Sequence, residues 1–191
     1  AGGILLSGDE VQSDWLRFYS VAVAAATIAL AAWDRWAWHL PVSQKFRSVP
    51  RDLRGTWQGT LTTFWSDPVT RVTPAPKTVY LVVRQTCSTI SATLLTDEST
   101  SRSSMAQIAG EDGDCHLVYS YLNTPENRVE HRSRIHYGST ELHVVNRPAT
   151  RLKGRYWTNR DSRGELDFQS VSRGRAAEDF DGAHALFESP A

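Results

Sequence analysis

Tyrosine, threonine and arginine side chains recur at two-residue spacing along the C-terminal part of the chain. Tyr119 and Tyr121 share one face of an extended segment, and Tyr156, Thr158 and Arg160 share a face of another, because successive side chains of a strand point to opposite sides. A guanidinium group holds a phosphate through paired hydrogen bonds, and an aromatic ring stacks on a planar base. These residue types therefore predict a site for a small, planar, phosphorylated ligand.

The predicted site combines three kinds of side chain. Arginines would face the phosphate groups, aromatic rings would provide stacking surface, and a threonine would add a hydroxyl group. The same residue types are also common on strands that bind nothing, so the pattern indicates a class of ligand and does not locate the pocket. The predicted ligand-binding residues are Trp57, Arg84, Arg102, Tyr119, Tyr121, Tyr156, Thr158 and Arg160.

Patterns typical of catalysis and metal binding are missing from the sequence. It contains no GxSxG, no phosphate-binding glycine loop and no HExxH. His131 and His136 are five residues apart, so they would face opposite sides of a strand and could not share a metal ion. Glu165 and Asp167 share one strand face, but nearby arginines favour cross-strand ion pairs over a catalytic carboxylate pair. We therefore expect neither enzymatic activity nor a cofactor or metal.

The overall composition excludes two broad classes of protein. Lysine plus arginine and aspartate plus glutamate each total 21, and a net charge of zero does not suit non-specific binding to DNA or RNA. The hydrophobic fraction of 40% excludes a disordered chain. Cys87 and Cys115 are too few for a disulfide scaffold, and we expect both to be reduced thiols in a cytoplasmic domain.

Residues 15–40 are predicted to form a transmembrane helix. The run from 18 to 33 carries no charge, and tryptophans lie at both ends of the longer segment, at Trp15 and Trp38. Tryptophan is enriched where a helix meets the two surfaces of a bilayer, and about 20 apolar residues suffice to span one. The alternative is an alanine-rich helix buried in a soluble core.

The charges that flank this helix predict its orientation. Lysine and arginine follow it within residues 41–54, whereas acidic residues precede it within 9–14, so the positive-inside rule places everything after residue 40 in the cytoplasm. Residues 1–6 are apolar but too short to span a bilayer. We expect residues 1–14 to be a remnant of a first membrane helix followed by an external loop.

From Leu53 onward the sequence predicts short β-strands. Runs rich in threonine, valine and aromatic residues recur every ten to twelve residues, with turn signals between them. About eight such strands predict an all-β, up-and-down antiparallel barrel over residues 53–171, because closure removes exposed strand edges. A two-sheet sandwich is the competing arrangement. Residues 41–52 are predicted as a linker, and residues 172–191 as a tail that is helical or disordered and contains no functional motif.

Five sequence segments carry a family resemblance by their order along the chain. Behind the tryptophan-flanked helix come GTWQG, QTCSTISATLLTDESTSRSSMAQI, LVYSYLNTP, HYGSTELHV and LKGRYWTNRDSRGELDF. GTW alone also occurs in lipocalin-like and avidin-like barrels. The ordered series, over residues 16–171, resembles the two-transmembrane, β-strand-rich effectors of bacterial CBASS anti-phage systems.

This resemblance implies a fold, a ligand and a mode of action. The cytoplasmic barrel would bind a 3′,3′-linked cyclic dinucleotide made by a partner cyclic-oligonucleotide synthase, with no direct contact between the two proteins. Binding would drive homo-oligomerisation in the bacterial inner membrane, disruption of the lipid bilayer and death of the infected cell. The family has two membrane helices, whereas only one is complete in this sequence.

Two other functions are compatible with a small barrel behind a membrane helix. One is a lipocalin-like, membrane-tethered barrel that carries an apolar ligand or lipid. The other is a purely structural barrel with a packed interior. An apolar pocket without arginine would favour the first, and a filled interior would favour the second.

Overall fold

Eight antiparallel strands form a closed barrel in the part of the chain that the structure describes. The structure is a computed structural model, and it describes residues 8–68, 70–110, 113–129, 134–160 and 162–188. A long helix precedes the barrel and a short one follows it. The elements are α1 (Gly8–Arg35), β1 (Gly55–Thr63), β2 (Lys77–Gln85), β3 (Ile90–Leu95), β4 (Ser99–Ala109), β5 (His116–Pro125), β6 (His136–Val145), β7 (Arg151–Thr158), β8 (Arg163–Ser172) and α2 (Phe180–Glu188).

Each strand pairs with the next along the chain, and β1 closes the barrel by pairing with β8. The predicted up-and-down barrel is therefore confirmed, and the sandwich is not formed. Closure provides hydrogen-bond partners for β1 and β8, which would otherwise be edge strands. The register shifts at two points, between Gln58 and Gly59 on β1 and between Ser103 and Met105 on β4.

Alternating side chains fill the interior of the barrel. Trp57, Leu81, Leu142 and Phe168 come from four different strands and are all fully buried in one core cluster. The indole N–H of Trp57 donates to the carbonyl oxygen of Leu53 at 2.8 Å, which satisfies its polar atom inside the core. The packed core occupies the middle of the barrel and leaves its two ends to the loops.

The two ends of the barrel carry different structures. The proximal end is where β1 begins and where α1 approaches the turn between β2 and β3. There, Ser88 donates its backbone N–H to the Asp34 carboxylate at 2.8 Å, and Cys87 donates its backbone N–H to the Asp34 carbonyl oxygen at 3.0 Å. The distal end is where β1 ends, and it is formed by the loops after β1, β3, β5 and β7.

Helix α1 exposes apolar side chains. It begins at Gly8, so residues 8–14, predicted as a loop, are helical, while residues 1–6 lie outside the described part of the chain. Phe18, Ile28 and Leu30 are each about 70% exposed. None of the helices among the described residues is both long enough and apolar enough to cross a membrane, and the predicted transmembrane helix is not supported.

The end of the predicted membrane segment departs from the helix. Residues 37–39 form a short 3-10 turn, and Trp38 is fully buried. The Arg54 guanidinium lies 5.3 Å from the centroid of its ring. Trp38 was predicted to sit at a membrane surface, and instead it packs inside the protein because the chain turns toward the barrel after Arg35.

The C-terminal segment is partly helical, one of the two outcomes predicted for it. Helix α2 covers the outer face of β2, where Tyr80 and Val82 are buried against Ala183. The hydroxyl of Tyr80 lies 2.7 Å from Nδ1 of His184. This packing explains why two outward-facing side chains of β2 are apolar.

Candidate functional site

A cavity opens at the distal end of the barrel. Its volume is about 380 Å³, within the range of sites for small molecules. Its apolar floor includes Leu61, Val79 and Leu94, which are inward-facing residues of β1, β2 and β3. Polar and aromatic side chains of β4, β5, β6 and β7 form the other side of the cavity. The distal cavity therefore has one apolar and one polar wall.

Two buried tyrosines line the distal cavity, Tyr121 on β5 and Tyr156 on β7. Each faces a glycine across its strand pair, Gly138 and Gly164 respectively. A Cβ atom at Gly138 would stand 2.3 Å from the Tyr121 hydroxyl oxygen, and one at Gly164 would stand 2.7 Å from the Tyr156 ring. The two glycines thus give the tyrosine rings the room that they occupy.

Asn123, in the wall of the cavity, carries a buried hydrogen-bond acceptor without a partner. Its amide nitrogen donates to the hydroxyls of Ser99 at 2.9 Å and Ser101 at 2.8 Å. Its Oδ1 is buried and accepts no hydrogen bond, although the side chain lies in a cavity wall and is only 7% exposed. A buried acceptor without a donor is costly, and a ligand N–H could satisfy it.

Arg160 and His136 lie side by side at the rim of the cavity. Arg160 Nη1 donates to the carbonyl oxygen of Arg134 at 2.9 Å and lies 3.3 Å from Nδ1 of His136. Burial of the His136 ring lowers its pKa, and the neighbouring Arg160 charge lowers it further. A neutral imidazole next to a guanidinium leaves Arg160 as the positive charge of this rim segment.

The opposite rim carries charges of both signs. Lys77 Nζ lies 3.0 Å from the Glu98 carboxylate and 3.5 Å from that of Asp97. Trp65, in the loop after β1, also lines the cavity and is 41% exposed. This rim combines a neutralised cation with an accessible aromatic ring.

Comparison with known proteins assigns this barrel to a family. Residues 47–170 match the family model described as Cap15, cyclic dinucleotide receptor domain. The chain belongs to the Cap15 cyclic dinucleotide receptor family. It is also similar to CD-NTase-associated protein 15 of Staphylococcus schleiferi, with 29% identity over 168 residues that cover 88% of this chain and 87% of that protein. The resemblance to CBASS effectors, predicted from the ordered segments, is confirmed.

All the predicted ligand-binding residues lie within the range 47–170 that matches the Cap15 family model. Four of them line the distal cavity. Tyr121, Tyr156, Thr158 and Arg160 all contribute to its wall or rim. They come from β5, from β7 and from the turn after β7, which the barrel places at the same end. The spacing within each strand predicted which side chains share a face, and the closed barrel brings the two faces together.

Trp57 and Tyr119 face the barrel interior but do not line the cavity. Both are fully buried in the core cluster, and the rings of Tyr119 and Tyr121 lie 6.0 Å apart between centroids. Burial raises the pKa of Tyr119 to about 12, so its hydroxyl stays protonated. Contact of these two residues with a ligand stays a prediction, and the structure gives them a supporting position below the cavity.

Arg84 and Arg102 lie outside the distal cavity. Arg84 lies near the proximal end of β2, where it pairs with Ser91 of β3, and its side chain is exposed. Arg102 is also exposed, whereas the adjacent Ser101 is buried on the inner side of β4. The structure does not bring either arginine to the other predicted residues.

Several cavity residues of this Cap15-family barrel were not predicted: Trp65, Lys77, Ser101, Asn123 and His136. A signal for Asn123 was present, because it follows Tyr119 and Tyr121 at the same two-residue spacing. Trp65 lies near the start of the long loop between β1 and β2, and Lys77 follows this loop. Whether their side chains reach the cavity depends on how the loop folds, and the spacing of residues within a strand does not predict that.

Of the two carboxylates that were considered as a catalytic pair, Asp167 forms a cross-strand ion pair. It accepts from Arg151 Nε at 2.7 Å. Arg155, which was expected to pair on this hairpin, pairs instead with Glu141 at 2.9 Å. The expected cross-strand ion pairs are therefore present in part, and Glu165 forms no ion pair among the described residues. Among the described residues, no group of three or more potential ligands could hold a metal ion, and His131 lies outside that part of the chain.

Proposed function

We propose that this chain is a membrane-attached receptor for a cyclic dinucleotide in bacterial anti-phage defence, and that it acts as an effector without catalysing a reaction. The proposal rests mainly on one observation, the distal cavity in a barrel of the Cap15 receptor family. That cavity combines two buried tyrosines, a buried acceptor without a donor and a rim arginine. These are the groups that a base and a phosphate require.

In the proposed complex, one nucleotide of the ligand enters the cavity. Its base packs against the rings of Tyr121 and Tyr156 and donates an N–H to Oδ1 of Asn123. Its phosphate lies at the rim, within reach of Arg160, where a charge-assisted hydrogen bond is stronger than a neutral one. The second nucleotide extends past the rim, and a linkage of the 3′,3′ type is expected from the family resemblance.

The polar groups of the cavity favour this ligand over the alternatives. An apolar ligand or lipid would leave the buried Oδ1 of Asn123 without a donor, whereas the N–H of a base can supply one. A purely structural barrel would fill its interior, whereas about 380 Å³ is open at the distal end. Both features argue for a ligand that is partly aromatic and partly polar.

The effector part of the proposal concerns the membrane and self-association. Helix α1 exposes large apolar side chains such as Phe18, Ile28 and Leu30, and an exposed apolar helix is stable when lipid or protein covers it. We propose that α1 attaches the barrel to the bacterial inner membrane with the barrel in the cytoplasm. Ligand binding then favours a homo-oligomer that disrupts the bilayer.

Ligand binding can drive such assembly only through linkage. The ligand has to bind the assembled state more tightly than the single copy, because equal affinity for both shifts no equilibrium. A cyclic dinucleotide carries two bases and two phosphates, so the part that extends past the rim can contact a neighbouring copy. In this scheme the barrel needs no contact with the synthase that makes the ligand. It also needs no contact with DNA or RNA.

Calorimetric titration tests the receptor function. The full chain, in detergent, is titrated with a panel of 3′,3′-linked cyclic dinucleotides, and Arg160→Ala is compared with Arg155→Ala. Arg155 is a matched control because it lies on the outer face of β7, the strand that leads to Arg160, and pairs with Glu141. We expect Arg160→Ala to weaken binding about tenfold to a hundredfold, since a hydrogen bond to a charged group contributes about 1.5–3 kcal/mol.

Two outcomes would count against the proposal in different ways. If no member of the panel binds the wild-type chain, the receptor function is wrong. If a dinucleotide binds and both arginine variants bind it equally well, the function stands and the phosphate does not lie at Arg160.

A further inference from the structure

A second cavity lies at the proximal end of the barrel, and arginines dominate it. Its volume is about 580 Å³, and it lies between the end of α1, the start of β1, the end of β2 and the segment after β8. No aspartate or glutamate is among its described lining residues. We call this cavity the arginine pocket, and its arginines are Arg35, Arg54, Arg84, Arg173 and Arg175.

Two of these arginines are fixed by the protein itself. Arg54 pairs with the Asp52 carboxylate through two hydrogen bonds of 2.9 Å. Arg173 donates to the carbonyl oxygens of Asp52 and Ala149, and its guanidinium lies 5.5 Å from the centroid of the Trp57 ring. These contacts hold both guanidinium groups in place, and the Asp52 carboxylate offsets the charge of Arg54.

Among the other three arginines, Arg35 is attracted by the neighbouring Asp34 carboxylate, whereas no carboxylate pairs with Arg84 or Arg175 among the described residues. Arg35, Arg84 and Arg175 are exposed, and their guanidinium groups make no hydrogen bond or ion pair among the described residues. Like charges gathered around one cavity repel one another, and an anion that enters the cavity relieves the repulsion. Arginine also binds phosphate with two parallel hydrogen bonds, which an ammonium group cannot do.

We propose that the arginine pocket binds the phosphate of an anionic phospholipid headgroup. The position of the pocket supports a lipid source. Trp36, which lines it, is 65% exposed, and the exposed apolar part of α1 ends at Trp33, two residues before Arg35. A tryptophan beside arginines, at the end of an apolar helix, is the combination that favours the boundary between headgroups and acyl chains.

This site is separate from the distal cavity. The inference rests on the proposed membrane attachment through α1 and not on the binding of a cyclic dinucleotide. The pocket lies at the other end of the barrel, beyond the core formed by Trp57 and its neighbours. It also gives a role to Arg84, whose predicted phosphate contact the distal cavity does not provide. The barrel would then hold phosphate at both ends, from a lipid at one and from a soluble ligand at the other.

Vesicle flotation of the full chain tests the inference. Vesicles of phosphatidylcholine alone are compared with vesicles that also contain phosphatidylglycerol. The pocket variant is Arg84→Glu with Arg175→Glu, and the matched control is Arg71→Glu with Arg163→Glu. Arg71 and Arg163 are exposed at the distal end, and the control changes the net charge by the same amount.

We expect anionic lipid to increase the bound fraction of the wild type and of the control variant. In the pocket variant, the affinity for anionic vesicles should fall at least about tenfold relative to the wild type, because each basic residue near an anionic surface contributes about 1 kcal/mol. Its binding to neutral vesicles should stay unchanged, since α1 is intact. The milder pair Arg84→Gln with Arg175→Gln should show a smaller loss, and circular dichroism checks that all variants are folded.

Three results would overturn the inference. One is an equal loss in the pocket and control variants, which would indicate an effect of net charge alone. Another is a pocket variant that binds anionic vesicles as well as the wild type does. The third separates the two sources of phosphate: if the wild type binds inorganic phosphate through the pocket arginines but shows no preference for anionic vesicles, the pocket binds free phosphate and the lipid source is wrong.

Discussion

Tyr121 on β5 and Gly138 on β6 are direct cross-strand partners, and the tyrosine hydroxyl occupies the space in which any larger residue would place its Cβ atom. The absence of a side chain at Gly138 therefore determines where the Tyr121 ring lies. Because this ring forms part of the distal cavity, the glycine shapes the proposed base-binding surface without contacting the ligand.

Replacing Gly138 with alanine should displace the Tyr121 ring. We expect a loss of stability of about 1–3 kcal/mol from overpacking and a weaker affinity for the cyclic dinucleotide. Thermal unfolding and calorimetric titration measure the two effects. Gly174→Ala is the control, because a Cβ there meets no atom within 4 Å, and unchanged ligand affinity in Gly138→Ala would show that the Tyr121 position is not needed for binding.

Asn123→Ala should reduce ligand affinity through the loss of one hydrogen-bond acceptor. We expect a decrease of about fivefold to a hundredfold, corresponding to about 1–3 kcal/mol for a buried polar contact. Thr124→Ala is the matched control, because Thr124 is the next residue on β5 and is exposed. Both variants are titrated with the dinucleotide that binds the wild type. Equal affinities of Asn123→Ala and Thr124→Ala would show that Oδ1 of Asn123 does not contact the ligand.

The stability of the barrel should fall as the pH falls through the region where an unfolded histidine titrates. Burial lowers the pKa of His136 in the folded state, and Arg160 adds to this effect. The unfolded state therefore binds more protons than the folded state at pH values just below about 6.5, and protonation favours unfolding. Denaturant unfolding at a series of pH values should show this loss, and the loss should be smaller in His136→Gln.

A contrary result in that series is easy to recognise. The carboxylates with lowered pKa values, such as Asp52 and Asp167, titrate below their ordinary value of 3.8, so they do not contribute between pH 7 and pH 5. An equal slope for the wild type and His136→Gln in this interval would mean that His136 is not the group responsible.

Membrane attachment should depend on the apolar surface of α1. Arginine at both Ala25 and Ile28 places two charges in its exposed apolar part, and each charge costs about 2.5–3.5 kcal/mol in a bilayer. We expect the double variant to leave the membrane fraction and to lose toxicity, while its barrel still binds the dinucleotide. Leucine at the same two positions is the control, and a double-arginine variant that stays in the membrane and kills cells would exclude α1 as the attachment.

The sequence predicted the barrel and the shared faces within each strand, but not the depth of each residue along the barrel. Tyr121 and Trp57 both point inward, and only the register of the closed sheet places Tyr121 at the cavity and Trp57 in the core. Spacing within a strand says which side chains share a face. It does not say how far each lies from the barrel end, since this depends on pairing with other strands.

The inward or outward direction of Arg84 and Arg102 was unpredictable for a related reason. Helix α2 covers the outer face of β2 and buries Tyr80 and Val82 on that face. The sequence of β2 is therefore apolar on both faces of the strand. A hydrophobic strand that is buried on both sides gives no alternating pattern from which its inner face could be chosen. On β4, serines on both faces likewise gave no contrast.

The helix and the distal cavity lie at opposite ends of the barrel, and this polarity restricts the symmetry of any assembly on one membrane. Copies attached to the same bilayer through α1 all turn their cavities toward the aqueous side. A two-fold axis in the plane of the membrane would join two cavities face to face and would direct the helices into two separate bilayers. Rotation axes perpendicular to the membrane keep every copy upright, so neighbouring barrels have to meet along their flanks, and the ligand can reach a neighbour only sideways over the rim.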